Sequence, residues 1–150
     1  MKIFIGADHR GVEFKSKIVK LLTAMGHQPV DFGAYDPGQS CDYPKVAYKV
    51  ASAVAKAKNG RGMLLCMSGI GQAIAANKVK GAYAALCYNS EAAKLCREHN
   101  NANILVMGAK FIKPAQIKPI INAFLTTPFA GGRHQRRVNL TKKIERGVKL

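Results

Sequence analysis

Apolar and polar positions change period in a regular way along this chain. Lys2 to Ala7 alternates around Ile3 and Ile5 and runs into Gly6-Ala7-Asp8, which predicts a first strand. From Arg10 to Met25 the period becomes helical. Phe14, Ile18, Leu21, Leu22 and Met25 share one face, and Gly26 stands where a helix C-cap is expected. Gln28 to Phe32 reads as strand two. Gly33 to Asp42 is rich in turn residues around Asp36-Pro37-Gly38. Tyr43 to Lys58 is a second helix, with Pro44 in its first turn and Val46, Val50, Val54 and Ala57 along one side. Gly62 to Cys66 is strand three, Ser68, Gly69 and Gly71 form a small-residue turn, and Ile70 to Asn77 starts a third helix. Gly81 to Cys87 reads as strand four, followed by a helix capped by Asn89 or Ser90 that reaches about His99. Ile104 to Met107 is strand five. Pro114 to Leu125 is a helix with Ile117, Ile120, Ile121 and Phe124 facing inward, and Arg133 to Arg146 a last, basic helix.

Short apolar strands alternating with amphipathic helices imply a parallel sheet covered on both faces. The expected fold is α/β: a doubly wound three-layer sandwich with a five-stranded parallel sheet, Rossmann-like in class. With 150 residues, 48% of them apolar, and no linker or repeat, one domain over 1–150 is expected, with 133–150 a basic C-terminal helix and tail. The run from Ile3 to Ala7 is too short for a signal peptide and no run approaches a membrane span. A soluble, cytoplasmic chain without a membrane partner is expected.

Four cysteines, Cys41, Cys66, Cys87 and Cys96, form no C-x-x-C pair, and no histidine cluster has metal spacing. Neither a zinc site nor disulfides are expected. The charge changes the picture more: 24 basic residues stand against 8 acidic ones. Two readings compete, nucleic-acid binding and attraction of a small anionic substrate. The aromatic residues are not interleaved with the basic tail, which argues against a stacking platform for nucleic acid. Most of these cations suit a solvated surface.

Ligands in open α/β sheets bind outside the carboxyl ends of the strands. That rule selects Asp8 and His9 after strand one, Asp42 and Tyr43 after strand two, Cys66 and Ser68 after strand three, Asn89 after strand four and Lys110 after strand five. The loop after strand one lacks G-x-G-x-x-G, so a dinucleotide site is not indicated, although Asp31 near the end of strand two points the other way. Each residue alone has a plainer reading: Asp8 as a helix cap, Tyr43 as a half-buried loop residue, Lys110 as surface charge. Cys66 stands at a strand end, before free N–H groups and the positive end of a helix, which suits a reactive thiolate. A buried structural cysteine is the plainer alternative. His99 ends a helix that runs antiparallel to the strands, so it belongs at the opposite edge of the sheet. A functional His99 therefore predicts a homodimer with shared sites. Arg133 and Arg137 lie one helical turn apart, a spacing that suits a phosphate or, more plainly, a solvated helix end.

Gly6-Ala-Asp8-His9, Asp42-Tyr43-Pro44, Cys66-Met-Ser68-Gly69-Ile-Gly71, Ala75-Ala76-Asn77-Lys78, Glu98-His99-Asn100, Ala102-Asn103 and Gly131-Gly132-Arg133-His134 together resemble the ribose-5-phosphate isomerase type B family. The wider group includes the galactose-6-phosphate isomerase subunits. The resemblance implies an aldose–ketose isomerase without metal or cofactor, acting on a sugar phosphate as a homodimer, with a tetramer also open. It implies Cys66 as the base, Ser68 and the backbone of Met67, Gly69, Ile70 and Gly71 around the oxyanion, and His99 in ring opening. Asp8, His9, Tyr43 and Asn100 would orient the sugar; Arg133, His134 and Arg137 would hold the phosphate. Met67 replaces a usual glycine, Ser68 a commoner threonine, and Lys110 a substrate-contacting arginine. Isomerisation of a hexose 6-phosphate (allose or galactose 6-phosphate) and a non-catalytic sugar-phosphate or nucleic-acid binder are the alternatives.

Overall fold

The computed structural model describes residues 1–150. In chain order it contains β1 (Lys2–Ala7), α1 (Val12–Ala24), β2 (Gln28–Asp31), α2 (Tyr43–Lys56), β3 (Arg61–Cys66), α3 (Ile70–Ala76), β4 (Ala84–Leu86), α4 (Ser90–Glu98), β5 (Ile104–Gly108), α5 (Pro114–Thr126) and α6 (Gly132–Glu145). The five strands form one parallel sheet in the order β2-β1-β3-β5-β4. This is the doubly wound, Rossmann-like sandwich that the pattern predicts.

Alternation along the strands sorts the core onto two faces. Ile3, Ile5, Met63, Leu65, Leu105 and Met107 pack with Phe14, Ile18 and Leu22 of α1, Ala93 of α4 and Ile120, Ile121 and Phe124 of α5. The intervening Leu64, Ile104 and Val106 pack with Val46, Val50 and Val54 of α2 and Ala76 of α3. Each central strand is thereby apolar on both sides, which is why it reads as a continuous apolar run rather than an alternating one. The sixth helix lies outside this arrangement. Its buried Val138 and the Glu145 carboxylate hold it, the latter accepting from Gly81 N–H at 2.6 Å and Tyr83 Oη at 3.3 Å.

Two details depart from the pattern. Strand four is three residues long, not Gly81 to Cys87. Before it, the Asn103 side chain takes over strand pairing: Oδ1 accepts from Tyr83 N–H at 2.7 Å and Nδ2 donates to Gly81 O at 2.8 Å. The first helix starts at Val12, because Asp8 caps a separate 3-10 turn, His9–Gly11, accepting from Gly11 N–H at 3.0 Å. No helix is long and apolar enough to cross a membrane.

The winding reverses at β1. The chain steps outward to β2 and then returns to place β3 on the other side of β1. The helices that follow these two strands lie on opposite faces, α1 over one core and α3 over the other. A crevice at such a switch point is where α/β folds bind ligands. Here it is flanked by Asp8 and His9 on one side and by Cys66 and Ser68 on the other.

Candidate active site

The strand-end cluster is assembled mainly by main chain. Ala109 N–H donates to Cys66 O at 2.9 Å and Lys110 N–H to Met67 O at 3.0 Å, so the loop after β5 is laced to the loop after β3. The Tyr88 hydroxyl donates to Ser68 O at 3.0 Å and fixes the same loop from β4. Gly69 has φ +89, and a Cβ there would strike Leu86, so only glycine suits the turn. Gly71 brings Tyr43 close: an added Cβ would lie 2.7 Å from the Tyr43 ring and 3.1 Å from its oxygen. The N–H groups of Met67 and Gly71 have no partner within the chain, and Ile70 N–H reaches Ser68 Oγ at 3.4 Å. Met67 and Ile70 are exposed beside this turn, and Lys110 is exposed above it.

Cys66 is buried, and its Sγ accepts from Gly69 N–H at 2.9 Å. The sequence suggests a readily ionised thiolate here, and the structure corrects that expectation. Burial pushes the thiol above its ordinary value, and the Asp8 carboxylate adds to the push; the Gly69 and Ser68 N–H groups only partly offset them. Asp8 itself is raised, again chiefly by burial, with the Gly11 N–H and the His9 charge opposing. The sulfur is therefore a strong base once ionised, but not one held ionised by its surroundings. His9 turns Nδ1 toward Cys41 N–H at 3.3 Å, which ties the loop before α2 to this edge and leaves Nε2 for a ligand.

His99 and Asn100 lie elsewhere, at the end of α4 near the start of β4. They line a cavity of about 450 Å³ with Asn77, Tyr83, His134 and Arg137. The His99 and His134 rings stack with centroids 4.1 Å apart and planes within 3°. Desolvation, then the charges of His99, Arg133 and Arg137, keep the His134 imidazole below its ordinary value. Arg133 Nε lies 3.5 Å from His134 Nε2, so the two arginines and the imidazole pair sit together at the start of α6. This is the opposite edge of the sheet from Cys66, as the direction of α4 predicts. Within one chain the two groups do not meet.

The structure also reassigns several residues. Asn89 caps α4, its Oδ1 accepting from Ala92 N–H at 2.8 Å, and Tyr88 is the residue that β4 sends to the site. Tyr88 was findable from sequence, since it too follows a strand end. Asp31 is occupied by Lys15, whose Nζ lies 2.7 Å away and also donates to Ala34 O at 2.6 Å. That pairing removes the one sign of a dinucleotide site. Asp42 pairs at 2.8 Å with the exposed Lys45, which holds its carboxyl below the usual value. No three His, Cys, Asp or Glu side chains converge to hold a metal ion.

A sequence profile of the ribose/galactose isomerase family matches residues 3–141. The chain belongs to that family. Among its relatives is ribose-5-phosphate isomerase B of Mycolicibacterium paratuberculosis, 40% identical over 147 residues, covering 97% of this chain and 92% of the relative. A D-erythrulose-4-phosphate isomerase of Pectobacterium atrosepticum is 42% identical over 133 residues, 88% and 87% of the two chains. Among solved structures, ribose-5-phosphate isomerase B of Mycoplasma genitalium with bound ribulose 5-phosphate superimposes with a TM-score of 0.91 at 39% identity, over 97% of this chain and 96% of that one.

Proposed function

We propose that this chain is an aldose–ketose isomerase that interconverts ribose 5-phosphate and ribulose 5-phosphate through an enediolate. Family membership supports the reaction class. The observation that supports the residue roles is the division of a buried strand-end thiol and a cation-rich cavity between opposite edges of one sheet. In this reading each site joins the Cys66 loop of one subunit to the His99, Asn100, Arg133, His134 and Arg137 end of another. The partner would cover the outer face of α3, where Ile70 and Ile74, one turn apart, are each more than half exposed.

His99 helps open the furanose ring. The Cys66 thiolate then removes the proton from C2 of the aldehyde, and the C2–H electrons form the C1–C2 double bond as charge moves to O1. The N–H groups of Met67 and Gly71, with Ser68 Oγ, receive that charge; one such donor is worth about 2.7–4 kcal/mol in the transition state. The sulfur returns the proton to C1 as the O2 proton passes to O1, which restores the C1 hydroxyl and leaves the carbonyl at C2. Asp8, His9 and Tyr43 orient the hydroxyls. The arginines hold the phosphate, and that remote binding positions the reacting carbons.

The test is turnover of ribose 5-phosphate beside allose 6-phosphate, galactose 6-phosphate and D-erythrulose 4-phosphate. Highest kcat/KM on ribose 5-phosphate is expected. A second reading, a four-carbon substrate, is favoured by the erythrulose-phosphate relative; highest turnover on that substrate would select it. No turnover on any of the four would overturn the proposal.

A further inference from the structure

Gln72 is fully buried, and neither its Nε2 nor its Oε1 finds a partner. No other side chain leaves both a buried donor and a buried acceptor unpaired. Methionine or leucine would fill the same space without that loss, so packing gives no reason for an amide. Its position gives one. Alternation along β3 turns Leu64 and Cys66 toward the α2/α3 side of the sheet, where Leu64 packs with Ala76. Gln72 shares the inward face of α3 with Ala76, four residues on. It is the third residue of a helix that begins four residues after Cys66 and descends beside β3. Gln72 and Cys66 thus occupy the same face and the same end of the sheet.

Cys66 has a matching deficit. Backbone alone serves its sulfur: Gly69 N–H at 2.9 Å, with Ser68 N–H behind it. Asp8, from the end of β1, is the one charged group acting on it, and it opposes ionisation. A thiolate formed there lacks a side-chain donor. A carboxamide is the neutral side chain that can accept from an S–H with its oxygen and, turned over, donate to an S⁻ with its nitrogen. We propose that Gln72 is a positioning residue for Cys66, its buried carboxamide, unpaired while Cys66 is a thiol, turning an Nε2–H to the sulfur once the thiolate forms. The proposal rests on Cys66 as the base. No covalent bond to Gln72 forms or breaks; the amide only turns to make or release its hydrogen bond as the proton passes between carbon and sulfur.

The experiment compares Gln72→Met and Gln72→Leu with the wild-type protein. The readouts are thermal midpoint, the pH dependence of iodoacetamide alkylation measured on the Cys66 peptide, and kcat and KM. We expect an equal or higher midpoint, Cys66 alkylation slowed about tenfold near neutral pH, and kcat lowered about tenfold with KM within about twofold. A folded variant with an unchanged alkylation profile would overturn the proposal, leaving Gln72 a core residue. The alkylation arm does not depend on turnover: should Cys66→Ala remain active, the base assignment fails while the link between Gln72 and the sulfur is still decided. If both substitutions unfold the chain, the Gln72 side-chain amide resonance of the wild type decides. It should shift with the ionisation of Cys66, and a constant shift overturns the proposal.

Discussion

The two edges of the sheet are built from different material. At the C-terminal edge, main chain holds main chain: Ala109 and Lys110 N–H groups fasten the Cys66–Met67 carbonyls, and the Cys66 sulfur is buried. At the other edge, side chains line the cavity: stacked imidazoles, and arginines on an exposed helix face. Ionisation of Cys66 at the first edge is governed by desolvation and rigid donors. The proposed phosphate binding at the second is governed by charge, which salt and side-chain freedom weaken. The chain supplies that charge lavishly, since only Lys15–Asp31 and Lys45–Asp42 form ion pairs among its 24 cations.

The sharpest way to break this comparison is to strike the buried edge. Cys66→Ala should lower kcat by about 10²–10⁴, the usual worth of a general base, with the thermal midpoint and KM little changed. Near-normal turnover in the folded variant would move the base elsewhere. Arg137→Ala should act on the other parameter, raising KM by roughly tenfold to a hundredfold through loss of a charge-assisted bond worth about 1.5–3 kcal/mol, with kcat held within a few-fold. A loss confined to kcat would remove Arg137 from the phosphate. The pH profile sharpens the same contrast. Burial raises the Cys66 thiol, and in the proposed mechanism the thiolate is the form that removes the proton. Thus kcat/KM should still climb, about tenfold per pH unit, past the pH at which an exposed thiol is half ionised. A plateau already reached at neutral pH would contradict it. The smallest change is expected from Lys110→Arg. Restoring a forked cation at an exposed position should lower KM by about threefold, within the range of surface ion pairs.

The legibility of these features in the sequence follows their range. Ile3, Leu64 and Val106 announce strands because burial on both faces imposes a local pattern. The separation of His99 from Cys66 was likewise readable, since helix direction alone decides it. The short β4 was not, because the groups that replace its pairing belong to Asn103, a residue distant in the chain. Lys15 reads as a surface lysine on α1, yet its ammonium is buried against Asp31 and lies 4.6 Å from the centre of the Tyr35 ring. The raised Cys66 thiol was also hidden. A helix start and two N–H groups are visible in the sequence; the depth at which the sulfur lies is set by packing.

The opposed edges have a consequence for inheritance. If, as proposed, two subunits share each site, a gene encoding Cys66→Ala and one encoding Arg137→Ala each damage a different half of it. In a mixed pair, one site carries both defects and the other carries neither. Two inactive alleles should therefore complement one another in one cell. Purified subunits allowed to exchange should regain activity toward about a quarter of the wild-type level, because half of the pairs are mixed and each mixed pair has one whole site. A chain that built its site alone would regain nothing.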